Sequence, residues 1–275
     1  MTLRYLLTLS RPRFWLYLAG PVLVGATYAA AELSDLTAPV VLALAAYFLV
    51  PANVFLYGVN DIFDRDVDEH NPKKEARETR YRGSRDVLVA VAASGVLGLG
   101  TFAVTPAVAW PWLAGFFALA VAYSAPPVRF KTTPLLDSAS NGLYVLPGAA
   151  AYAALTGHHP PLLAVLGGWL WTMGMHTFSA IPDIQPDREA GIQTTATWLG
   201  EPRTYAYCVA VWALAAAAFA LLDPRLLAVF AVYPVFCAWV ARSAVPVERA
   251  YWWFPYLNGL AGMTLTLAGL WRLYG

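Results

Sequence analysis

Long apolar runs, separated by short polar connections, recur along the whole of this chain. Nine such segments lie roughly at 14–30, 38–60, 86–104, 107–123, 138–155, 161–182, 204–221, 225–241 and 251–272. Helices of about 20 apolar residues match a hydrocarbon layer of about 30 Å, because each residue advances the helix by about 1.5 Å. Of 275 residues, 59% are hydrophobic and 13% charged, against about 25% charged in a soluble domain. The pattern predicts an all-α integral membrane protein of nine transmembrane helices, forming one domain over residues 1–275. Pro and Gly inside several segments are compatible with this, since neighbouring helices satisfy the freed backbone groups. The run from Phe14 is read as a first membrane helix and not as a cleaved signal.

The basic residues orient these segments. Arg4, Arg11 and Arg13 precede the first one, and Arg65, Lys73, Lys74, Arg77, Arg80, Arg82 and Arg85 crowd the second-to-third connection. Arg129 and Lys131, Arg188 and Arg203, and Arg242 and Arg249 fall in alternate later connections. With nine spans, all of these share one side, leaving only Arg225 and Arg272 on the other. Lysine and arginine favour the cytoplasmic side, so the N-terminus is expected in the cytoplasm and the C-terminus outside. A net charge of +1 makes no case for nucleic-acid binding. Cys208 and Cys237 sit in late apolar segments and read as apolar filler.

The acids are also clustered. NDIFDRDVDEHNPKKE begins at Asn60, where the second apolar segment ends. If the helix continues, Asp61, Asp64 and Asp68 occupy positions i, i+3 and i+7 on one face, whereas Asp66 falls off it. Carboxylates gathered beside a low-dielectric slab need a compact counter-charge, and hard oxygen ligands suit Mg²⁺. A solvated loop whose acids answer the nearby bases is the simpler alternative for this cluster taken alone. A second cluster, SAIPDIQPDREAGIQTTA (Ser179–Ala196), closes another apolar segment on the same predicted side. Asp183 and Asp187 stand at i and i+4, and His176 precedes Asp183 by seven residues. Two such patches can hold a metal-bound diphosphate. Between them, AYSAPPVRFKTTP places Arg129 and Lys131 on a stiff turn after Tyr123 and Ser124, where a cation can take charge from a leaving diphosphate.

Polar side chains inside apolar helices are costly and single out Asn53, Asn141, His176 and Asn258. His176 fits either a proton acceptor or a partner between helices. His158 and His159, in the external turn TGHHPP, carry no assignment.

Asn60-Asp61-x-x-Asp64-x-x-x-Asp68, Tyr123-Ser124 with its trailing bases, and Asp183-x-x-x-Asp187-x-x-x-Gly191 resemble the motifs of the UbiA-type intramembrane prenyltransferases. The resemblance implies a Mg²⁺-dependent enzyme that holds an allylic diphosphate near the cytoplasmic face, with helices arranged around a central cavity that opens to lipid. The implied metal ligands are Asp61, Asp64, Asp68, Asp183 and Asp187. The implied diphosphate contacts are Asn60, Tyr123, Asn141, Arg129, Lys131 and Arg77, and Asp64, Asp68, Asp187 and Lys131 act in catalysis. Two departures stand out. Gln185 lies in the second-motif spacer where many relatives have a carboxylate, and Pro127 stands where relatives often have a lysine, so Arg129 or Lys131 must substitute.

FKTTPLLDS, SNGLYVLPG and the second acidic segment are similar to the lycopene elongase branch. That branch implies transfer of a C5 unit from dimethylallyl diphosphate to a terminal double bond of lycopene. Such a reaction makes carbocations, which need water exclusion and aromatic faces; Tyr144, Trp169, Trp171 and Phe178 are near the motif helices, although core packing is the ordinary role for each. Prenylation of an aromatic or quinone acceptor is the nearest alternative. A transporter is the distant one, disfavoured because transporters place such charges near the midplane.

Overall fold

The structure is a computed structural model, and it describes residues 3–64 and 83–274. It is helical, with no strand among the described residues. The main helices are α1 (Leu3–Leu9), α2 (Trp15–Ala29), α3 (Pro39–Leu49), α4 (Pro51–Phe63), α5 (Arg85–Val104), α6 (Trp110–Ser124), α7 (Leu146–Thr156), α8 (Leu162–Ser179), α9 (Glu201–Leu222), α10 (Val232–Val240) and α11 (Phe254–Tyr274). Among the described residues, four stretches are long and apolar enough to cross a membrane: Pro39–Phe63, Arg85–Val104, Ala107–Ser124 and Glu201–Leu222. The protein is membrane-embedded.

Several predicted segments are interrupted. The segment predicted at 38–60 divides at Val50 (φ −125°, ψ −55°), because Pro51 has no N–H for the preceding turn. Asn53, fully buried, repairs the break: its amide donates to the carbonyl oxygens of Phe48 (3.2 Å) and Leu49 (3.0 Å). The stretch read as 138–155 resolves into a short helix (Leu136–Ala139), a 3-10 turn (Ser140–Tyr144) and α7. The α-helix read as 161–182 stops at Ser179, and the 3-10 turn Ile181–Asp183 carries Pro182 near its start.

The chain forms two compact units. One comprises Met1–Val128, Leu146–His159 and Thr266–Gly275. In it, α2 and α7 pack with backbones nearly touching: a Cβ added at Gly148 would lie 2.5 Å from the Pro21 carbonyl oxygen, and one at Gly25 would strike the Gly148 carbonyl. Small residues allow this approach, which dispersion and backbone contacts reward in lipid. Rings of Tyr47, Phe48, Phe55, Phe116 and Phe117 fill the space between α3, α4 and α6.

The other unit comprises Arg129–Val145 and Pro160–Leu265. Its main packing pair is α8 against α9, with Gly174 seated over the Trp212 indole, whose N–H donates to the Trp171 carbonyl (3.0 Å). Phe178, Trp212, Tyr233 and Phe254 form a buried aromatic core, so Phe178 serves packing. Asn258 accepts a hydrogen bond from the Tyr233 hydroxyl (2.9 Å), a structural use of that polar residue. Cys208 and Cys237 are free and fully buried in the same core.

Candidate active site

In the first unit, the last turn of α4 carries the first acidic motif. Asp61 is 2% exposed and Asp64 9% exposed, three residues apart on one face, with Asn60 half-buried beside them. Asp64 is the C-cap, its N–H donating to the Asn60 carbonyl (2.9 Å). A buried carboxylate needs charge or hydrogen bonds in compensation. For Asp61 that comes from Arg11, whose Nη2 lies 3.1 Å from Oδ1. The same guanidinium sits 4.5 Å from the centre of the Tyr57 ring, one turn back on α4. Arg11 thus belongs to the site and not simply to the orienting bases of the N-terminal tail. Asp68 and Arg77, like Asp66, lie outside the described residues. Tyr123 is half-buried in the last turn of α6, and Ser124 is fully buried there, its Oγ without a hydrogen-bond partner among the described residues.

The second unit carries the remaining candidates. Arg129 adopts a left-handed conformation (φ 42°) and opens the 3-10 turn Phe130–Thr132, which contains Lys131; both are half-buried. The second motif occupies the 3-10 turn Ile181–Asp183 and the short helix Ile184–Glu189, with Asp183 at the junction and Asp187 in the first helical turn. Both acids are half-buried. Gly191 explains the end of the motif. At φ 69° it is the left-handed residue of a Schellman turn: its N–H donates to the Arg188 carbonyl (3.1 Å), and that of Ile192 to the Asp187 carbonyl (2.8 Å). Glycine adopts this conformation without steric cost. Arg188 Nη2 then donates to the Thr197 carbonyl (3.0 Å), tying the motif to the helix that follows.

One buried acid joins these parts. Asp137, fully buried in the short helix Leu136–Ala139, accepts hydrogen bonds from the Thr195 N–H at Oδ2 (3.0 Å) and from the Thr195 hydroxyl at Oδ1. His176 Nε2, in the last turn of α8, is 3.8 Å from Oδ2. The Thr195 hydroxyl also accepts from the Leu135 N–H (2.7 Å), and the buried Asn141 amide donates to the Asp137 carbonyl (2.6 Å). Asp137 therefore anchors the segment that leads from the basic turn to Asn141, the end of α8 and the exit of the second motif. It was not among the sequence candidates. Its signal was a lone acid in the apolar stretch PLLDSASNGLYVLPG, since an unexplained intramembrane carboxylate is costly. Beside it, Ser138 accepts from the Thr177 hydroxyl (2.8 Å) and bonds the Tyr207 hydroxyl (3.0 Å). Trp169 lies over Gly142, where a Cβ would enter the indole ring, and its N–H donates to the Ala139 carbonyl (2.8 Å).

All acids of the two motifs offer hard oxygen ligands, the donor set Mg²⁺ prefers. No group of three or more His, Cys, Asp or Glu is close enough to hold a metal among the described residues, of which Asp68 is not one.

Comparison with known proteins agrees with this architecture. The UbiA prenyltransferase family model matches residues 18–272. The chain is 68% identical to a lycopene elongase/hydratase of Haloferax volcanii, across 98% of this chain and 89% of that protein. It is 63% identical to a lycopene elongase/hydratase of Halobacterium salinarum, across 98% of both. In fold it is similar to a UbiA homolog from Archaeoglobus fulgidus bound to DMAPP and Mg²⁺, with a TM-score of 0.78 and 21% identity over 98% of this chain and 99% of that one. A family model that takes in both acidic motifs, and relatives this similar over nearly their full length, leave one conclusion: the chain is a prenyltransferase and belongs to the UbiA prenyltransferase family.

Proposed function

We propose that this enzyme transfers the C5 group of dimethylallyl diphosphate to a terminal double bond of lycopene, a step toward C50 carotenoids. The observation that carries this reading is the 63–68% identity, nearly end to end, with two lycopene elongase/hydratases. The quinone-type alternative has no comparable support.

The same reading assigns the residues. Asp61, Asp64, Asp68, Asp183 and Asp187 hold Mg²⁺, and Asn60, Tyr123, Arg129, Lys131, Asn141 and Arg77 bind the diphosphate. Bound Mg²⁺ neutralises diphosphate oxygens and favours departure of the leaving group. Arg129 and Lys131 add fixed positive charge to the diphosphate as the C–O bond breaks. Asp64, Asp68 and Asp187 maintain the negative field that concentrates cations at the diphosphate. The allylic cation then alkylates the acceptor, and burial in the membrane keeps bulk water from it.

The arrangement in the bilayer is part of the proposal: one domain over residues 1–275, nine spans around a central cavity, N-terminus cytoplasmic, C-terminus outside and active site toward the cytoplasm in the cell membrane. The distribution of Lys and Arg supports the orientation.

The test is expression in a lycopene-producing host, followed by the pigment masses. Carotenoids heavier by one or two C5 units, with or without added water, are expected. Unchanged lycopene beside active consumption of dimethylallyl diphosphate would transfer the assignment to another acceptor.

A further inference from the structure

Alkylation of the acceptor leaves a tertiary carbocation on it, and the reaction ends only when that cation is quenched. Among the described residues, Asp137 and His176 form a carboxylate–imidazole pair within the second unit, in a segment bonded to candidate site residues. Among the described residues, fully buried Asp137 meets no lysine or arginine; Thr195 bonds its carboxylate, His176 faces it, and the Tyr207 hydroxyl lies nearby. His176 is 19% exposed, so the imidazole reaches the surface that the carboxylate does not. The carboxylate faces Nε2, and this sets the orientation of the ring and of its second nitrogen. An imidazole backed in this way is a competent general base. The surroundings fit the task, since Asn141 is bonded to the Asp137 backbone and Thr195 closes the exit of the second motif.

We propose that His176 activates the water that quenches the acceptor cation, and that Asp137 is its positioning residue. This rests on the carotenoid reading above. The step balances as a hydration. The water oxygen forms a C–O bond to the cationic carbon while one of its O–H bonds breaks. The proton passes to Nδ1, the second ring nitrogen of His176, and the imidazolium is held by the Asp137 carboxylate facing Nε2. The product is a tertiary alcohol, and the proton returns to solvent. Without a positioned base, the cation instead loses a proton from a neighbouring carbon and gives the alkene.

The readout is the ratio of hydrated to non-hydrated C5-elongated carotenoid, made by membranes supplied with dimethylallyl diphosphate, Mg²⁺ and lycopene. Wild type, His176→Gly, His176→Gln and Asp137→Asn are compared. The ratio is expected to fall by about tenfold or more in each variant, and added imidazole should restore it in His176→Gly alone. An unchanged ratio in the His176 variants overturns the proposal. Loss of both products in all three variants, with no return on adding imidazole, makes the pair part of the framework and overturns it too. Wild-type membranes that form no elongated carotenoid would instead overturn the acceptor reading, and this assignment with it.

Discussion

Arg11 Nη2 lies 3.1 Å from Asp61 Oδ1, across fifty residues of chain, and the same guanidinium is stacked on Tyr57. Asp61 is 2% exposed and the Arg11 side chain 17% exposed, so the pair is largely withdrawn from solvent. Arg11 takes a left-handed conformation (φ 49°) at the end of the first turn region, which non-glycine residues adopt at some cost. The contact therefore joins the N-terminal segment to the first acidic motif.

Removing one member of a buried pair leaves an uncompensated charge, costing about 3–5 kcal/mol in full burial. Arg11 is partly exposed, so Arg11→Ala should cost about 2 kcal/mol, of which part is lost stacking. Arg11→Lys should keep the charge and lose the planar stack, giving an intermediate loss. Thermal unfolding in detergent, without added Mg²⁺, orders the three proteins. Equal stability of wild type and Arg11→Ala would show that the contact contributes nothing.

The carboxylates differ in what they contribute. Asp64→Asn and Asp187→Asn keep size and lose charge; each should lower turnover by about 10²-fold or more, as when one group stabilising a transferring phosphate is removed. Both should leave membrane insertion intact. Asp66→Asn should be milder, since Asp66 is not among the implied metal ligands. Consumption of dimethylallyl diphosphate, titrated with Mg²⁺, measures this. Near-wild-type turnover in both Asp64→Asn and Asp187→Asn would remove them from the ligand set.

Much of this was legible because its causes are local. Apolar length follows from solvation by lipid, and the i, i+3 spacing of Asp61 and Asp64 follows from helix geometry. Arg11 was legible as an orienting base but not as the partner of Asp61, because no spacing rule links a tail residue to the end of α4. Asp137 was hidden for a similar reason. Its partners, Thr195 and His176, are 58 and 39 residues away and meet it only through packing. The Schellman turn at Gly191 could have been read from DREAG, where glycine follows a short helix. The break before Pro51 could also have been expected, but its repair by Asn53 needed coordinates.

Packing in the first unit gives a sharper stability test. Gly148→Ala puts a methyl group 2.5 Å from the Pro21 carbonyl oxygen, and backbone cannot yield as a side chain does. The α2–α7 crossing must open, at about 1–3 kcal/mol or more. Gly20→Ala, on α2 next to Pro21 and with no atom within 4 Å of the added Cβ, serves as the control and should be neutral or slightly stabilising. Melting temperatures in detergent that fail to separate the two variants would argue against the close crossing.

Thr195 has a double use that a single substitution can expose. Its hydroxyl donates to Asp137 and accepts from the Leu135 N–H, so Thr195→Val preserves shape while stranding an acceptor and a donor at once. Each unsatisfied buried group costs about 1–3 kcal/mol. The Leu135 N–H is only part-buried and can recruit water, so the loss should lie toward the lower end, about 2 kcal/mol in total. Thr195→Ser keeps both bonds and should stay close to wild type. If thermal unfolding places Val level with Ser, the hydroxyl is not the link between Asp137 and the segment that leaves the second acidic motif. If Val alone is destabilised, the buried carboxylate is held as the geometry describes.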